Sequence, residues 1–499
     1  MQRTTERTYK NSQTNFLLQE TFFESLHKQD TFNVKLTENG IKISKKYENG
    51  KHRRRSIQIQ EIIGVSCSKS VPSVASQIRK SLETDVDTDN AVFLAINFYI
   101  FKESKREKKH HKKYSTIVLT FKYFEDCERN VERANQWKNS LLNLIHAHNG
   151  SQLSKLRMTS NKSYLIFLNP KSGQGNASDM YHKIVAPVFN DSEIQFTLNV
   201  TKSANYARNF MRTENLEQWL AVIVIGGDGL FFEVINGVFE RPDYKNIVNR
   251  IYFGIIPAGS GNGLAKTISH RFSEYLDETP VLSSTISMVN GSVAPMDLVR
   301  IETKHENMYS SLACGWGFIA NIDILSEKIR YVGYLRFTLW SLKNIITLPK
   351  YHGKVSYLPI NDDNQQRSQS YLTSLNSPVP SDWIIIEDEF VMVHPTYQTH
   401  LSTDCYFCPQ SKLDDGIIWL LIIRGGITRS ELTTFLIGMS NGTHLPKNNN
   451  KKIQMIPCRA FRIEPSDTEG IITVDGEKIK YGPIQGEIIP SSIKVIVSK

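Results

Sequence analysis

A chain of 499 residues has room for two or three domains, and 40% hydrophobic content supplies real cores for them. Six scattered cysteines (Cys67, Cys127, Cys314, Cys405, Cys408, Cys458) exclude a disulfide framework and fit a reducing compartment; the lone CxxC at Cys405 and Cys408 has no second pair at metal-ligand spacing and reads as two ordinary thiols. The formal charge of +10 points to an anionic partner, and no apolar run approaches the roughly 20 residues of a membrane span, so a cytoplasmic protein that touches membranes peripherally is expected.

Residues 1–31 open with the polar run MQRTTERTYKNSQTN and are expected to be disordered. Residues 32–148 read as a small β-rich domain. Phe32, Val34 and Leu36 alternate, Asn39-Gly40 marks a hairpin, Ile41 and Ile43 alternate again, Asn49-Gly50 marks a second turn, and Ile57 and Ile59 resume the pattern. A polar stretch from Ser70 to Asn90 reads as a loop. Strands near 91–101 and 114–124 lead into a closing helix with Val131, Ala134, Trp137, Leu141, Leu142 and Ile145 at helical spacing. This order resembles a pleckstrin-homology domain, whose final helix buries a tryptophan, here Trp137.

Two basic clusters fall inside the domain: Lys45-Lys46 with Lys51-His52-Arg53-Arg54-Arg55, and Lys102 to Lys113, KESKREKKHHKK, read as a loop between strands. One such run is explained by solvation alone, whereas two point to an anionic surface. No interleaved aromatics or binding motif supports nucleic acid, and acidic lipid is the expected partner.

From 158 to 293 strand-like and helix-like segments alternate, as in an α/β nucleotide-binding lobe. Three apolar runs, Tyr164–Leu168, Leu220–Ile225 and Ile251–Ile256, each end in a glycine-punctuated turn: NPKSGQG at 169–175, GGDG opening GGDGLFFEVING at 226–237, and PAGSGN at 257–262. Gly173 and Gly175 stand where backbone must approach a phosphate closely, and a carboxylate at Asp228 lies at the carboxyl end of a parallel strand, where open α/β sheets bind ligands. Neither GxxxxGK[ST] nor GxGxxG occurs at these turns, which removes the main support for P-loop and dinucleotide readings. Phosphoryl transfer needs a group that orients or deprotonates an attacking hydroxyl, and Asp228 is the candidate; a helix N-cap before Gly229 is the plain structural explanation of the same aspartate.

Beyond 294 the pattern turns β-rich, with strands expected at Met296–Ile301, Tyr309–Cys314, Gly353–Leu358, Trp383–Val393, Gly416–Ile423, Phe461–Pro465 and Ile471–Asp475. Residues 361–381 are polar and aperiodic and read as a flexible loop. The loop contains Ser377-Pro378, a dipeptide open to proline-directed phosphorylation that chance explains more simply.

The three turns, together with VTKSANYAR at 200–208, WGFIANIDILSEKIRYVGYLRF at 316–337 and VDGE at 474–477, resemble the diacylglycerol kinase catalytic superfamily and, within it, the sphingosine kinases, over roughly 160–499. The resemblance implies a second lobe built as an antiparallel β-sandwich that houses a lipid, and ATP with Mg2+ as cofactors. It implies nucleotide contacts from Asn169, Pro170, Lys171, Gly173 and Gly175, from Thr201, Lys202, Ser203, Ala204 and Asn205, from Gly227 and Glu233, and from Gly259, Ser260 and Gly261. Arg330, Arg336, Asp475, Gly476 and Glu477 complete that set. The lipid would meet Asp228, Phe337 and Asp323; the last ends the family segment WGFIAxxD, and a carboxylate there pairs with the ammonium of sphingosine, which ceramide and diacylglycerol lack.

The implied activity is phosphorylation of the primary hydroxyl of sphingosine or dihydrosphingosine. A ceramide kinase, which shares the pleckstrin-homology front end, and a non-catalytic lipid-binding adaptor are the alternatives. Asn321 replaces the neighbouring family acid, Ala313 a small hydroxyl residue, and Gln174 and Asn176 stand where some members carry membrane-docking lysines. Arg336 to Leu348 resembles an amphipathic family segment beside the lipid gate, a candidate calmodulin site that an ordinary core helix also explains.

Overall fold

The alternating apolar residues between 32 and 59 build an antiparallel sheet in the order Phe16–Phe23, Thr31–Thr37, Gly40–Lys46, His52–Gln58. A second sheet follows, of Ile62–Ser68, Val92–Glu103 and His110–Phe121. Helix Cys127–His148 closes this unit by burying Ala134, Trp137, Leu141 and Ile145 against the inner faces of the strands. Its first turn is pinned by Asn130, whose amide accepts from Tyr123 N and Phe124 N and donates to Asn90 O and Phe124 O. The computed structural model describes residues 16–23, 31–46, 52–70, 90–103, 110–148, 160–272, 279–326, 335–360, 370–446 and 450–498. The chain divides into one unit of Met1–Lys155 with Val188–Glu193 and another of Leu156–Pro187 with Ile194–Lys499.

Two expectations about the first unit are corrected. Phe16–Phe23 is a strand, not part of a disordered terminus: Leu18, Glu20 and Phe22 pair with Leu36, Val34 and Phe32, and the buried Phe22 ring joins the core. The end of the second basic run, from His110, is likewise strand, with Lys112 Nζ 5.4 Å above the Tyr99 ring. The middle of that run lies outside the described residues, as do Lys51 and most of the loop from Ser70 to Asn90.

In the second unit four parallel strands stand in the order Phe196–Val200, Ser163–Leu168, Trp219–Gly226, Tyr252–Pro257, with Ile225 beside both Leu168 and Ile256. The central strands are continuous apolar runs because helices cover both faces of the sheet. Next to Tyr252–Pro257 comes Ile484–Val497, the last strand, paired in parallel at Phe253 with Val495 and antiparallel with Ser292–Thr303 and Ile453–Pro465. This strand carries the sheet from the α/β lobe into the antiparallel lobe, so the boundary expected at 293/294 is not a break in the hydrogen-bonded ladder. Pro490-Ser491-Ser492 interrupts its apolar pattern, and Ser491 takes a left-handed φ of 50°.

The antiparallel lobe packs Trp316, Val355, Phe390, Val393, Phe461 and Ile463 into its core. Residues 370–381 of the expected flexible loop are fixed on it. Arg462, 1% exposed, donates to Ser377 O, Ser374 O and Thr373 Oγ1, and Glu487 accepts from Ser370 Oγ and Tyr371 N. Two buried ions therefore hold a segment that composition alone marks as free. No helix among the described residues is long and apolar enough to cross a membrane.

Candidate active site

The three glycine turns meet at the carboxyl ends of the parallel strands. A Cβ on Gly227 would lie 3.2 Å from Gly259 Cα, one on Gly259 2.5 Å from Gly227 Cα, and one on Gly173 2.8 Å from Ala258 O. Only glycine lets these backbones approach so closely. Gly173 and Gly175 adopt φ of 58° and 83°, and the space beside Gly175 is open. Asn169 shapes the first turn, its side-chain oxygen accepting from Lys171 N at 3.0 Å. Thr201 N donates to Leu168 O at 2.8 Å, which sets Thr201 to Asn205 beside that turn with Lys202, Ser203 and Ala204 exposed. Concave backbone of this kind, rich in N–H groups, suits phosphate oxygens.

Asp228, 8% exposed, is the first residue of helix Asp228–Phe239. Its carboxylate does not cap that helix. It accepts instead from Gly263 N at 2.8 Å and Leu264 N at 3.0 Å, the open amino end of helix Gly263–Arg271, and so ties the second turn to the third. Burial pushes its pKa up to about 6, against those two N–H groups, and the charge of Asp475 adds to the rise. The remaining lone pairs border Gly261, where a Cβ would stand 3.3 Å from Oδ2. Glu233 also works through backbone: it accepts from Asn205 N and Ala207 N, and thereby holds the 201–205 turn.

The residues expected from VDGE divide. Glu477 reaches the start of the Asp228 helix, 2.8 Å from where a Cβ on Gly229 would be. Asp475 is different: its side chain is engaged within the chain. Its carboxylate is buried and accepts from Ser310 Oγ, Ser311 N and Oγ, Leu312 N and Ala313 N, which leaves it committed to folding the 310–313 turn.

Asp323 is half-buried on helix Phe318–Ser326, whose Phe318 and Ile322 pack with Val391, Met392, Phe407 and Leu421. Its charge reaches Cys405, a thiol pushed up to about 12 chiefly by burial. Asn321 donates to the Tyr351 hydroxyl instead of facing Asp323 as a second acid. Arg330 lies outside the described residues, as do the side chains of Arg336 and Phe337, although both belong to helix Leu335–Thr347. On that helix Trp340 and Ile345 pack inward while Leu339, Leu342 and Ile346 are exposed, so it is only in part a core helix.

Sequence reasoning missed three groups of residues. Asn262, at φ 54°, closes the third turn by accepting from Gly259 N and donating to Gly259 O. Thr403 N donates to Gly261 O at 2.9 Å, so the antiparallel lobe clasps the same turn. Asn236, buried, accepts from Tyr309 N and donates to Tyr309 O and Phe232 O; a polar residue on the apolar face of its helix was the available signal.

A glycine-lined cradle with a buried aspartate at the edge of a parallel sheet, joined to an antiparallel lobe, is the arrangement expected of a kinase of the diacylglycerol kinase type. Residues 163–301 match the model of the diacylglycerol kinase catalytic domain, and 392–497 that of the YegS C-terminal NAD kinase beta sandwich-like domain. Sphingosine kinase 1 of Homo sapiens is 33% identical over 342 residues, 66% of this chain and 88% of that protein. Sphingosine kinase 1 of Arabidopsis thaliana is 29% identical, over 64% of this chain and 69% of that protein, and sphingosine kinase 2 of Homo sapiens 23% identical over 82% of each. The chain belongs to the sphingosine kinase family.

Proposed function

We propose that the protein transfers the γ-phosphate of ATP to the primary hydroxyl of sphingosine and dihydrosphingosine, giving sphingosine 1-phosphate from the former. The observation that carries this reading is the meeting of the three glycine turns at one buried, raised-pKa aspartate in a chain that also sets Asp323 beside an apolar layer. The substrate hydroxyl oxygen bonds to the γ-phosphorus as the bond to the β-phosphate bridging oxygen breaks; ADP leaves, and the hydroxyl proton passes to Asp228 and then to solvent. Two backbone N–H groups hold the Asp228 carboxylate in one orientation, so positioning costs nothing further at the moment of reaction. Asp323 offers a carboxylate to the sphingosine ammonium.

Mg2+ accompanies the triphosphate and neutralises part of its charge. Among the described residues no group of three or more His, Cys, Asp or Glu could hold a metal ion, so no protein ligand is assigned to it.

The first unit, with its four- and three-stranded sheets and a helix that buries Trp137, is read as pleckstrin-homology-like and as the part that meets an anionic membrane surface. The exposed Leu339, Leu342 and Ile346 favour a calmodulin-type partner for helix Leu335–Thr347. Purified protein incubated with labelled ATP and micellar sphingosine, ceramide or diacylglycerol tests the central reading. Label transferred to ceramide in preference to sphingosine would move the protein to the ceramide kinase alternative, and none to any lipid would leave a binding adaptor.

A further inference from the structure

One hairpin of the antiparallel lobe lies against the helix that holds Asp228. It pairs His400–Ser402 with Cys405–Tyr406, and it meets helix Gly263–Arg271 at three levels. At the amino end a Cβ on Gly263 would lie 2.7 Å from Leu401 O, while Ser402 bridges to Asn262 and Thr403 N donates to Gly261 O. In the middle Thr267, 1% exposed, accepts at Oγ1 from His400 N at 3.1 Å and from the Thr399 hydroxyl at 3.2 Å. At the carboxyl end the His270 ring stands 5.1 Å from that of His400 and 4.9 Å from that of Tyr406, which itself stacks on His400.

Positions 263, 267 and 270 form one stripe at helical spacing, apart from Leu264, Ala265 and Ile268, which pack in the α/β core. Apolar side chains on both stripes would serve packing alone, since a buried hydroxyl is costly unless it is bonded. The second stripe instead takes the hairpin through directional bonds and ring contacts, which fix its place along the helix. Thr399 Oγ1 also lies 2.8 Å from His400 Nδ1, and burial, with the charges of His270 and Lys266, pushes His400 down to about 3, so a neutral imidazole shares a proton with that hydroxyl. The hairpin thus joins two parts of the proposed reaction. Its Cys405 lies within reach of the Asp323 charge, and the helix it clasps offers Gly263 N and Leu264 N to Asp228.

We propose that Thr267 is a positioning residue for phosphoryl transfer, acting through helix Gly263–Arg271 on the orientation of the Asp228 carboxylate, an inference that rests on the kinase reading above. Gly263 stands one turn before Thr267 on the same stripe, so a helix that shifts at Thr267 carries its amino-terminal N–H groups with it. A displacement of about 1 Å at a reacting centre can cost about 10²-fold in rate.

Thr267→Val keeps the shape of the side chain and removes its oxygen. The full-length variant is expected to lose about 10- to 100-fold in kcat on micellar sphingosine, counted per folded molecule, with KM for ATP within about threefold of wild type. The acid limb of kcat/KM should move upward from about 6 by about half a pH unit, because N–H groups held less firmly stabilise the carboxylate less. Asp475, whose charge also raises Asp228, and Glu477, beside Gly229, keep their surroundings in this variant. Thr267→Ser retains the oxygen and should restore both kcat and the limb. Thr399→Val, which removes one of the two bonds from the hairpin side, should show a smaller loss of the same kind, and it carries the test should the first variant not fold. Combined with Thr267→Val it should add little, since it removes a bond already lost. A lowered melting temperature with wild-type kcat and an unmoved acid limb would leave Thr267 a structural residue and overturn the proposal, as would a loss that serine fails to restore or losses that multiply in the double variant. A wild-type chain that phosphorylates sphingosine no faster than Thr267→Val does defeats this proposal alone; a wild-type chain that phosphorylates no lipid removes the kinase reading with it.

Discussion

Asp228 and Asp475 are buried carboxylates whose pKa values burial raises, and they lie close enough for the charge of one to act on the other, yet the chain treats them differently. Asp475, in a left-handed turn at φ 49°, takes donors from every residue between Ser310 and Ala313. Asp228 takes two, both from one helix end, and faces glycine on its open side. Burial alone does not mark a functional acid. A carboxylate saturated by its own chain is part of the fold, and one with lone pairs left beside a glycine cradle is available to a substrate.

The sharpest way to break this comparison is Asp228→Asn. Gly263 N–H and Leu264 N–H sit on different carboxylate oxygens, so asparagine leaves one of them facing an amide nitrogen; the melting temperature should fall by roughly 2 to 10 °C while ATP affinity stays near wild type and turnover per folded molecule falls by about 10² to 10⁴. Turnover and nucleotide binding are measured on the same preparation, and unchanged turnover would return Asp228 to a purely structural role. Next in size is Asp323→Ala, which strands the sphingosine ammonium in an apolar layer at roughly 3 to 5 kcal/mol and should lower kcat/KM for sphingosine by about 10² to 10³. The KM for ATP should move little. Equal losses for sphingosine and an N-acylated analogue would show that Asp323 supports the helix and does not read the amine.

The turns were legible in the sequence because each needs glycine for a backbone reason, and apolar strands before them fix where they point. Asp228 was legible as a ligand-edge carboxylate, but not as the group that caps helix Gly263–Arg271, since that bond joins residues 35 apart in the chain. Asp475 was read as a contact because VDGE resembles a family motif; nothing local shows that Ser310 to Ala313 will fold onto it. Phe16–Phe23 and Ile484–Val497 were hidden for opposite reasons. The first follows a polar run and is fixed by pairing with Thr31–Thr37 and by Phe22 packing against Trp137, neither of which its own sequence shows, while Pro490-Ser491-Ser492 breaks the pattern of the second. The 370–381 segment has no periodicity to read, and two ions distant in sequence hold it.

Asp475→Asn sharpens the comparison from the other side. An amide nitrogen must face one of the donors now bound to Oδ1 or Oδ2, leaving a buried polar group unsatisfied at ~1 to 3 kcal/mol. The melting temperature should fall by roughly 2 to 10 °C, and kcat per folded molecule should change far less than for Asp228→Asn. An intact melting temperature with lost turnover would restore Asp475 to the reacting centre.

The smallest expected effect is also the one that tests activity and stability in opposite senses. With its pKa near 6 in the folded protein, against 3.8 ordinarily, Asp228 is protonated in the native chain but ionised in the unfolded one between about pH 4 and 6. The native state then holds the extra proton, so this group favours folding at low pH and loses that contribution as pH rises through about 6. Asp297, also pushed up to about 6 by burial despite accepting from Gly416 N and Ser491 N, acts with the same sign. Activity runs the other way, because only the carboxylate takes the hydroxyl proton: kcat/KM should drop about tenfold for each pH unit below 6. In Asp228→Asn the residual activity should lose that acid limb, while Asp297 preserves part of the stability change. An acid limb near 6 that survives in Asp228→Asn would belong to another group, and the distinction drawn between the two aspartates would then rest on hydrogen bonding alone.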